Sequence, residues 1–490
     1  MQFLSFRGLA LALAQRLALA LNATMLAVVI GGGGSLLMSS AFAAGEFAAS
    51  QSASEERTIT IPRGHRRDFG PSPVSPAGPL SAPLKAAIEA TFGDNLRSGG
   101  WGSEQTAALR IIANSGDPRV AWLIGDLMRI VTDGQLMALL TQTASQLLGV
   151  EFTPRKAWGE VTDRLIAWDV PAPPGYLPLK RGIYTLIVAE WERLFTPGSI
   201  DWRHVSWGGV AIDDRPFAAT DRPCNCIPAA DNPQVTNVSG ATWLKDGDVV
   251  FGLEINGEFR AYPRRIMEVR EMVNDTLGGR HLGIPYCTLC GSAQAYLTDE
   301  MPDGVARPVL RTSGLLIRSN KVMYDLNTFS VFDTFRGQAV TGSLAQKGIV
   351  LKQVGMAVTT WGEWRKAHPQ TTVLAEALAL GRDFDFRNNR DAAGPIFPIG
   401  DVDPRLPVHE DVIGVLTASG TPVAFHLASA REVLGRGEAI TVENVHLVLD
   451  GGGVRAVDAQ GKDLGGHQAF WFAWSQFHPG TKIWPEIDGG

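Results

Sequence analysis

Cysteine is scarce in this chain: only four occur among its 490 residues, and all of them fall in two tight clusters. Cys224 and Cys226 are separated by a single asparagine, and Cys287 and Cys290 are separated by two residues. Two thiols at C-x-x-C spacing can share one metal ion or close a redox disulfide. The sequence therefore points to sulfur chemistry, although the spacing alone selects no single reaction.

An excess of basic residues is also missing, because 44 lysines and arginines face 50 aspartates and glutamates for a formal net charge of -6. This balance gives no reason to expect nucleic-acid binding. The chain contains no G-x-S-x-G elbow, P-loop, H-E-x-x-H pair, C-x-x-C-H haem site or dinucleotide fingerprint. The familiar signatures of hydrolases, nucleotide-binding proteins and haem proteins are thus absent from the sequence.

The N-terminus, residues 1–44, is predicted to be a signal peptide. Arg7 and Arg16 supply its positive charge, and residues 17–30 form an apolar run. Ala41–Ala43 then has the A-x-A form of a signal-peptidase site. We therefore expect a periplasmic or secreted protein. The alternative is an uncleaved anchor, which the tetraglycine break after the apolar run disfavours, and contact with a membrane is expected only in that case.

The rest of the chain is predicted to be an α+β protein. Residues 45–81 are rich in proline, serine and alanine, which indicates a linker. Apolar residues recur at helical spacing through 82–166, and the pattern resembles helical-hairpin repeats of the HEAT type. A connecting segment, 167–232, then leads to a β-rich, internally duplicated domain. Its first half, 233–380, carries the C-x-x-C pair, and its second half, 381–490, has no cysteine.

Turn residues predict the hairpins of the β-rich domain. The clearest hairpin joins Val249–Ile255 to Glu258–Tyr262 through an Asn-Gly pair, which fits the type I′ turn. A Gly-Gly pair is predicted to turn a second hairpin. Its outgoing strand, His281–Tyr286, delivers Cys287 to a strand end.

An internal repeat indicates that the β-rich domain contains two related halves. Trp361–Thr371 and Trp471–Thr481 share the pattern W-x-x-W-x-x-x-H-P-x-T. His368 and His478 occupy the same place in the two copies. Because the motif also occurs in the half without cysteine, we favour a structural, helix-ending role for both histidines over a role in a site.

Ordered motifs follow one another from residue 227 to residue 485. They include Ile227–Pro233, Glu254–Pro263, Val273–Asp275, Tyr286–Ala293, Ser313–Leu316 and Ser319–Asp325. With these motifs the chain resembles a bacterial family of exported proteins known as domain of unknown function 3179. The resemblance implies no activity, because the family has none assigned. Two positions depart from the family pattern: Arg270 replaces a histidine, and Thr288 replaces a proline.

Three interpretations of the cysteines stay open. In the first, the two pairs together form a tetrahedral four-thiolate zinc site, or soft thiolates with Met323 or a histidine bind copper. In the second, a pair works as a redox dithiol with one exposed sulfur of low pKa. In the third, the cysteines form structural disulfides. A disulfide between the clusters would close a loop of about 60 residues and contribute about 4 kcal/mol.

Polar residues near the C-x-x-C pair are candidates for the same site. His281 lies six residues before it on the predicted strand, a span of about 20 Å, so it shares a metal only if the chain folds back. The hairpin brings Arg270, Glu271 or Asn274 nearer than the sequence suggests. Asn274 and Asp275 are more simply explained as caps of a turn or strand end.

Two further polar pairs, Ser313-Gly314 and Ser319-Asn320, interrupt an apolar, strand-like region. They are predicted either to line a small-molecule pocket or to bind backbone groups at bends.

The first functional hypothesis is an exported protein of unknown activity with a cysteine-centred site, which binds zinc or copper or performs thiol redox chemistry. The alternative is a non-enzymatic binding or scaffold module in the cell envelope. Its cysteines would form structural disulfides, and its partner would be an envelope protein or a small-molecule ligand. A hydrolase or transferase that uses Glu271 or Asp275 is a third possibility, which no residue spacing supports.

Overall fold

The computed structural model describes residues 61–219, 224–376 and 394–487. The predicted signal peptide and the first part of the predicted linker lie outside these residues. Within them, no helix has the length and apolar character needed to cross a membrane.

The described part of the predicted linker, residues 61–81, contains no helix or strand, but part of it packs on the protein. Arg67 Nη2 lies 2.6 Å from Asp163 Oδ2. The indole Nε1 of Trp168 donates a hydrogen bond of 3.0 Å to the carbonyl of Gly70. Residues 67–70 are therefore held against the helical region.

The helical region begins where capping residues allow it. The side chains of Ser81, Asp117 and Asp133 accept backbone N–H groups at three helix starts. The α-helices are α1 Ala82–Phe92, α2 Asp94–Gly99, α3 Ser103–Ser115, α4 Ala121–Met128, α5 Gly134–Leu148, α6 Ala157–Ala167 and α7 Tyr176–Thr185. Short 3-10 helices cover Pro118–Val120, Ala189–Arg193 and Trp202–His204. Helical structure thus continues beyond residue 166, and the HEAT-type resemblance stays a prediction.

In the described part of the chain, the β-rich region forms five sheets in a propeller-like arrangement. The first sheet contains, in spatial order, β1 Val205–Trp207, β10 Leu310–Ile317, β11 Asn320–Asp325, β12 Val331–Asp333 and β13 Gln338–Ala339. The second contains β14 Lys352–Val354, β9 Ala295–Leu297, β7 Arg280–Cys287, β6 Met272–Leu277 and β2 Ala230–Asp231, with β8 Ser292–Ala293 paired to β7.

The third sheet contains β15 Ala357–Thr360, β4 Val249–Ile255, β5 Glu258–Pro263, β16 Thr372–Leu374 and β3 Val235–Asn237. The fourth contains β22 His467–Phe470, β17 Asp411–Leu416, β18 Pro422–His426 and β23 Lys482–Trp484. The fifth contains β19 Ile440–Val442, β20 Val445–Asp450 and β21 Gly453–Val457. Among the described residues, these strands are connected by α8 Arg264–Arg270, α9 Gly342–Gln346, α10 Trp361–Ala367, α11 Leu427–Gly435 and α12 Trp471–Phe477.

The helices and the first sheet share one apolar core. Leu123 and Trp191 from the helical region are fully buried in the same cluster as Tyr324 and Val331 from the first sheet. The indole Nε1 of Trp191 donates a hydrogen bond of 2.7 Å to the carbonyl of Ser313 in β10. Burial of these large side chains therefore fixes the helical region to the β-rich region.

Both predicted hairpins are confirmed. Strands β4 and β5 pair in antiparallel register, and Asn256 and Gly257 between them have φ angles of 51° and 81°. This left-handed pair is what a type I′ turn requires. Strands β6 and β7 pair in the same way, and Gly278 and Gly279 have φ angles of 55° and 72°. Strand β7 ends at Cys287, as predicted.

Two sheets repeat one topology. In the third sheet the order is β15-β4-β5-β16, and β16 runs parallel to β5. In the fourth sheet the order is β22-β17-β18-β23, and β23 runs parallel to β18. Helix α10 joins β15 to β16, and α12 joins β22 to β23. The internal sequence repeat therefore corresponds to a repeated structural unit.

A tryptophan covers a glycine in each repeated unit. Trp364 on α10 and Trp474 on α12 each donate from Nε1 to a threonine hydroxyl 3.0 Å away. A Cβ atom at Gly252 would lie 2.3 Å from the Trp364 ring, and one at Gly414 would lie 2.0 Å from the Trp474 ring. Glycine is therefore required beneath both rings.

Candidate functional site

Cys287 and Cys290 form a disulfide at the end of β7. Gly291 follows with a left-handed φ of 61°, which lets the chain turn back into β8. Cys287 is 4% exposed and Cys290 is 0% exposed. This disulfide therefore lies inside the protein.

Strand β22 of the second half shields this disulfide loop. The Phe470 amide donates a hydrogen bond of 2.8 Å to the carbonyl of Cys290. The Phe470 ring lies so close to Gly291 that a Cβ atom there would be 3.0 Å from it. The half without cysteine thus covers the cysteine pair of the other half.

A buried ion pair lies beside the same loop. Glu271, at the end of α8, accepts a hydrogen bond of 2.8 Å from the Thr288 hydroxyl on Oε1. Its Oε2 lies 2.8 Å from Lys321 Nζ, which also donates to the Glu271 carbonyl at 2.6 Å. Burial lowers the pKa of Lys321, and the negative charge of Glu271 opposes that shift. The pair ties α8 and β11 to the C-x-x-C loop.

The turn between β10 and β11 also contacts the disulfide. Cys290 Sγ is 3.8 Å from the carbonyl oxygen of Ser319. Arg318 and Ser319 both have left-handed φ angles, 45° and 69°. At the bulge in β10, the Ser313 hydroxyl donates to the carbonyl of Val322. Ser313 and Ser319 therefore lie at bends of the backbone.

Cys224 and Cys226 form the second disulfide. The Ala211 amide donates a hydrogen bond of 2.8 Å to the carbonyl of Asn225, and Ala211 and Cys226 form a parallel bridge. Both cysteines of this pair are partly exposed. The Cys224–Cys226 disulfide therefore lies at the surface, fixed by backbone pairing to the segment after β1.

Asp213 lies beside the surface disulfide. One of its carboxylate oxygens and the sulfurs of Cys224 and Cys226 all lie within 4.8 Å of one another. The carboxylate accepts hydrogen bonds of 2.6 Å and 2.8 Å from Arg215 and one of 2.9 Å from the Ala229 amide. Asp213 is fully buried, so these donors hold its carboxylate in one orientation.

A second buried pair extends this network. Arg311 donates from Nη1 to Asp231 Oδ1 at 2.8 Å, and its Nε lies 3.7 Å from Asp213 Oδ2. The side chains of all three residues are 0% exposed. Buried charges are tolerated when they are paired and hydrogen-bonded. The network therefore forms a rigid base beneath the surface disulfide.

The structure does not bring the two cysteine pairs together. Cys290 contacts Ser319 just after β10, whereas Ile227, next to Cys226, accepts a hydrogen bond from Thr312 near the start of β10. Roughly seven strand residues separate these contacts, which corresponds to roughly 20 Å. Each pair closes on itself, so neither the four-thiolate set nor the disulfide between the clusters is assembled.

Comparison with known proteins identifies the region that carries both disulfides. The model of the family described as Protein of unknown function (DUF3179) matches residues 224–465. This region belongs to the DUF3179 family. No curated protein and no solved structure matches the chain.

The β6–β7 hairpin of the DUF3179 region brings Glu271 to the C-x-x-C loop, as predicted. His281 and Arg270 have other partners. His281 Nδ1, near the opposite end of β7, is 3.1 Å from the Thr276 hydroxyl. Arg270 Nη2 lies 3.0 Å from Glu376 Oε2. The hydrogen bond between the Thr288 hydroxyl and Glu271 thus connects α8 to the disulfide loop.

Asn274 and Asp275 are not caps of a turn, because both lie inside β6 and are buried. Asn274 Nδ2 donates to Asp231 Oδ1 at 2.8 Å. Asp275 Oδ2 accepts from Arg260 at 2.6 Å and from the Tyr262 hydroxyl at 2.7 Å. Each side chain is thus hydrogen-bonded to its own partners, and the carboxylate of Asp275 is committed to a structural network of the DUF3179 region.

Met323 lies in an apolar cluster. It is fully buried together with Met272 and Phe332. Its other neighbours in this cluster include Leu310 and Leu351. This placement matches that of a core methionine and gives the predicted copper role no support.

His368 and His478 both follow the tryptophan helices of the repeated units. His368 stacks on Phe259 with ring centroids 4.2 Å apart, and its Nε2 lies 2.7 Å from Asp450 Oδ1. His478 packs 4.2 Å from the Trp474 ring, and burial lowers its pKa to about 4. Both imidazoles pack on aromatic rings, as the structural interpretation predicts.

Sequence reasoning missed three charged residues beside the disulfides: Asp213, Arg215 and Lys321. A signal for the first two is present in the sequence, because Asp-x-Arg pairs recur. The same bidentate pairing, from Nε to Oδ1 and from Nη2 to Oδ2, occurs at residues 117–119, 201–203 and 403–405. The signal for Lys321 is a lysine directly before the run Val322–Tyr324, since a buried lysine needs a partner.

Proposed function

We propose that this is an exported protein whose surface disulfide, Cys224–Cys226, exchanges with the dithiol of an envelope protein. The proposal rests on the difference in solvent exposure between the two disulfides. Both cysteines of this pair are partly exposed, whereas Cys287 and Cys290 are 4% and 0% exposed. An attacking thiolate has to reach a disulfide sulfur, so the accessible pair is the one that reacts.

The short loop of the surface disulfide is compatible with exchange, although it does not distinguish this pair from Cys287–Cys290. The two disulfides link residues that are only two and three positions apart. By the loop-closure model, a disulfide across such a short loop stabilises the protein by about 2 kcal/mol. A disulfide between the clusters, with a loop of about 60 residues, would contribute about 4 kcal/mol. A disulfide that contributes this little can open and close without unfolding the protein.

The exchange is a two-electron transfer. One thiolate of the partner dithiol attacks a sulfur of Cys224–Cys226, the S–S bond breaks, and a mixed disulfide and a cysteine thiolate form. The second partner thiol, after losing its proton, attacks the mixed disulfide. The partner leaves as a disulfide, and Cys224 and Cys226 take up its two protons and two electrons as thiols.

We assign the Cys287–Cys290 pair a structural role. Its loop is covered by Phe470 from the second half and is hydrogen-bonded to the Glu271–Lys321 pair. The scaffold interpretation is therefore retained for the Cys287–Cys290 disulfide, which shapes the surface on which the two halves meet.

A redox titration tests the assignment. The Cys287→Ser/Cys290→Ser variant, which keeps the surface pair, is equilibrated with dithiol–disulfide buffers, and its thiols are counted after alkylation. Exposed disulfides have higher potentials than structural ones, so we expect a midpoint above about -300 mV. The Cys224→Ser/Cys226→Ser variant is the matched control and should stay oxidised in the same buffers. A surface pair that resists reduction at these potentials contradicts the proposal.

Export is part of the proposal, because disulfides persist outside the reducing cytoplasm. Residues 1–44 supply the predicted signal. N-terminal sequencing of the protein from a bacterial periplasmic fraction should therefore begin after Ala43 or Ala44. A chain that retains Met1 and stays in the cytoplasm would contradict this part.

A further inference from the structure

The surface disulfide has a third potential ligand atom beside it. The Asp213 carboxylate oxygen lies within 4.8 Å of the sulfurs of Cys224 and Cys226. We propose that reduction of this disulfide creates a zinc site with Asp213, Cys224 and Cys226 as ligands. The inference deepens the proposed function, because the site exists only when the pair is reduced.

The three donors suit Zn²⁺ in type and number. Zinc accepts thiolate sulfur at about 2.3 Å and carboxylate oxygen at about 2.0–2.2 Å, in tetrahedral geometry. Those bond lengths place two sulfur ligands about 3.7 Å apart, a separation that two reduced cysteines reach once the S–S bond is broken. Three protein ligands leave the fourth position open to water. The mixed sulfur and oxygen set favours zinc over Cu(I), which prefers soft ligands alone.

The charges balance around such a site. Two thiolates and one carboxylate give Zn²⁺ a net charge of minus one. Arg215, which hydrogen-bonds both carboxylate oxygens of Asp213, supplies the compensating positive charge. Carboxylates that ligate metals are commonly held by such outer partners, which orient them.

The two carboxylate oxygens of Asp213 differ in how firmly they are held. Oδ2 accepts the Ala229 amide at 2.9 Å and one Arg215 nitrogen at 2.8 Å. Oδ1 accepts Arg215 Nε at 2.6 Å, and its second contact, from the Arg215 amide, is long at 3.4 Å. Oδ1 is therefore the oxygen that can give up a weak contact and bind a metal.

Hydrogen bonds hold the backbone around Cys224 and Cys226, while the two cysteines are partly exposed to solvent. Ala211 pairs with Asn225, and Thr312 donates to the carbonyl of Ile227 at 2.8 Å. These bonds hold the cysteine segment next to Asp213 in either redox state. The exposed sulfurs provide the path by which the ion enters.

The test uses the mature protein, fully reduced with a phosphine under nitrogen. Zn²⁺ is titrated in competition with a chromophoric chelator, and Co²⁺ is used as a spectroscopic probe. We expect one Zn²⁺ per chain and a thiolate-to-cobalt charge-transfer band in the near ultraviolet. Zinc binding should release the two thiol protons, measured in a weakly buffered solution.

Variants separate this site from other thiols. The Cys287→Ser/Cys290→Ser variant should bind zinc like the parent protein, and the Cys224→Ser/Cys226→Ser variant should lose the site. Asp213→Asn should weaken zinc binding at least about 10-fold and change the cobalt spectrum. Because Asp213 is buried beside Arg215, Cys226→Ser is the second single variant, and it removes a ligand without disturbing that pair.

The possible outcomes distinguish this inference from the proposed exchange. Reduced protein that binds no zinc, or binds it equally well without Cys224 and Cys226, overturns the zinc site and leaves the exchange function standing. Zinc binding after phosphine reduction, with a surface pair that dithiols cannot reduce, supports the site and overturns the exchange function.

Discussion

Removal of one charge from the Glu271–Lys321 pair tests whether this pair stabilises the structure around the C-x-x-C loop. The two side chains are only 10% and 5% exposed. Glu271→Gln keeps an acceptor for the Thr288 hydroxyl but leaves the Lys321 ammonium without its counter-charge. Breaking a buried ion pair from one side costs about 3–5 kcal/mol, so we expect that loss in the free energy of unfolding. Lys321→Met should cost a similar amount.

The double variant, Glu271→Gln with Lys321→Met, should be much less destabilised than the sum of the two single variants. It removes both buried charges, and the glutamine still accepts from Thr288. Urea unfolding followed by tryptophan fluorescence measures the four proteins of this cycle. A coupling free energy of at least about 2 kcal/mol is expected. Additivity within about 0.5 kcal/mol would refute the buried pair.

For the single variant Glu271→Gln, we also expect the free energy of unfolding to depend on pH. Burial lowers the pKa of Lys321, and loss of the Glu271 charge lowers it further. The unfolded chain then binds more protons than the folded chain, so stability rises with pH up to the ordinary lysine pKa of about 10.4. The deficit of Glu271→Gln relative to the parent protein should therefore shrink between about pH 7 and about pH 9.5. A constant deficit would contradict this explanation.

Two other predictions concern the repeated units. Gly252→Ala and Gly414→Ala should each cost at least about 1–3 kcal/mol, because the new Cβ meets a tryptophan ring, whereas Gly247→Ala, with open space around it, is the control. Equal urea midpoints would contradict the packing. Burial lowers the pKa of His467 to about 3 and of His478 to about 4. Stability should therefore fall as pH drops below about 6.5, by up to about 1.4 kcal/mol per pH unit for each histidine. Replacing each histidine by glutamine should remove its share of that slope.

The parts of the fold that local chemistry determines could be predicted from the sequence. Asn256-Gly257 and Gly278-Gly279 can adopt the left-handed angles of tight turns at little cost, so both hairpins were predictable. The repeated tryptophan motif was visible because each copy needs the same threonine partner and the same glycine beneath the ring. The core shared by the helices and the first sheet was not predictable. The spacing of hydrophobic residues predicts which side chains are buried, but not the element against which they pack.

The site could be predicted only in part. The C-x-x-C strand end and its approach to Glu271 followed from the hairpin register. The separation of the two cysteine pairs could not be predicted from the hairpin register. It depends on contacts at the two ends of β10, which is distant in sequence from both pairs. Lys321 is held near its disulfide by a hydrogen bond to Glu271, which lies 50 residues away in sequence. Asp213 is held near the other disulfide by a hydrogen bond from Ala229, which lies 16 residues away. No local pattern specifies those contacts.

Time-resolved thiol labelling tests the central claim most directly. The native protein is exposed to a small excess of dithiol, quenched with an alkylating reagent at successive times, and mapped by peptide mass spectrometry. Cys224 and Cys226 should be labelled first. If opening the buried loop costs about 3 kcal/mol, Cys287 and Cys290 should react about 100-fold more slowly and catch up only in denaturant. Labelling of the buried pair at the same rate, or before the surface pair, would contradict the account.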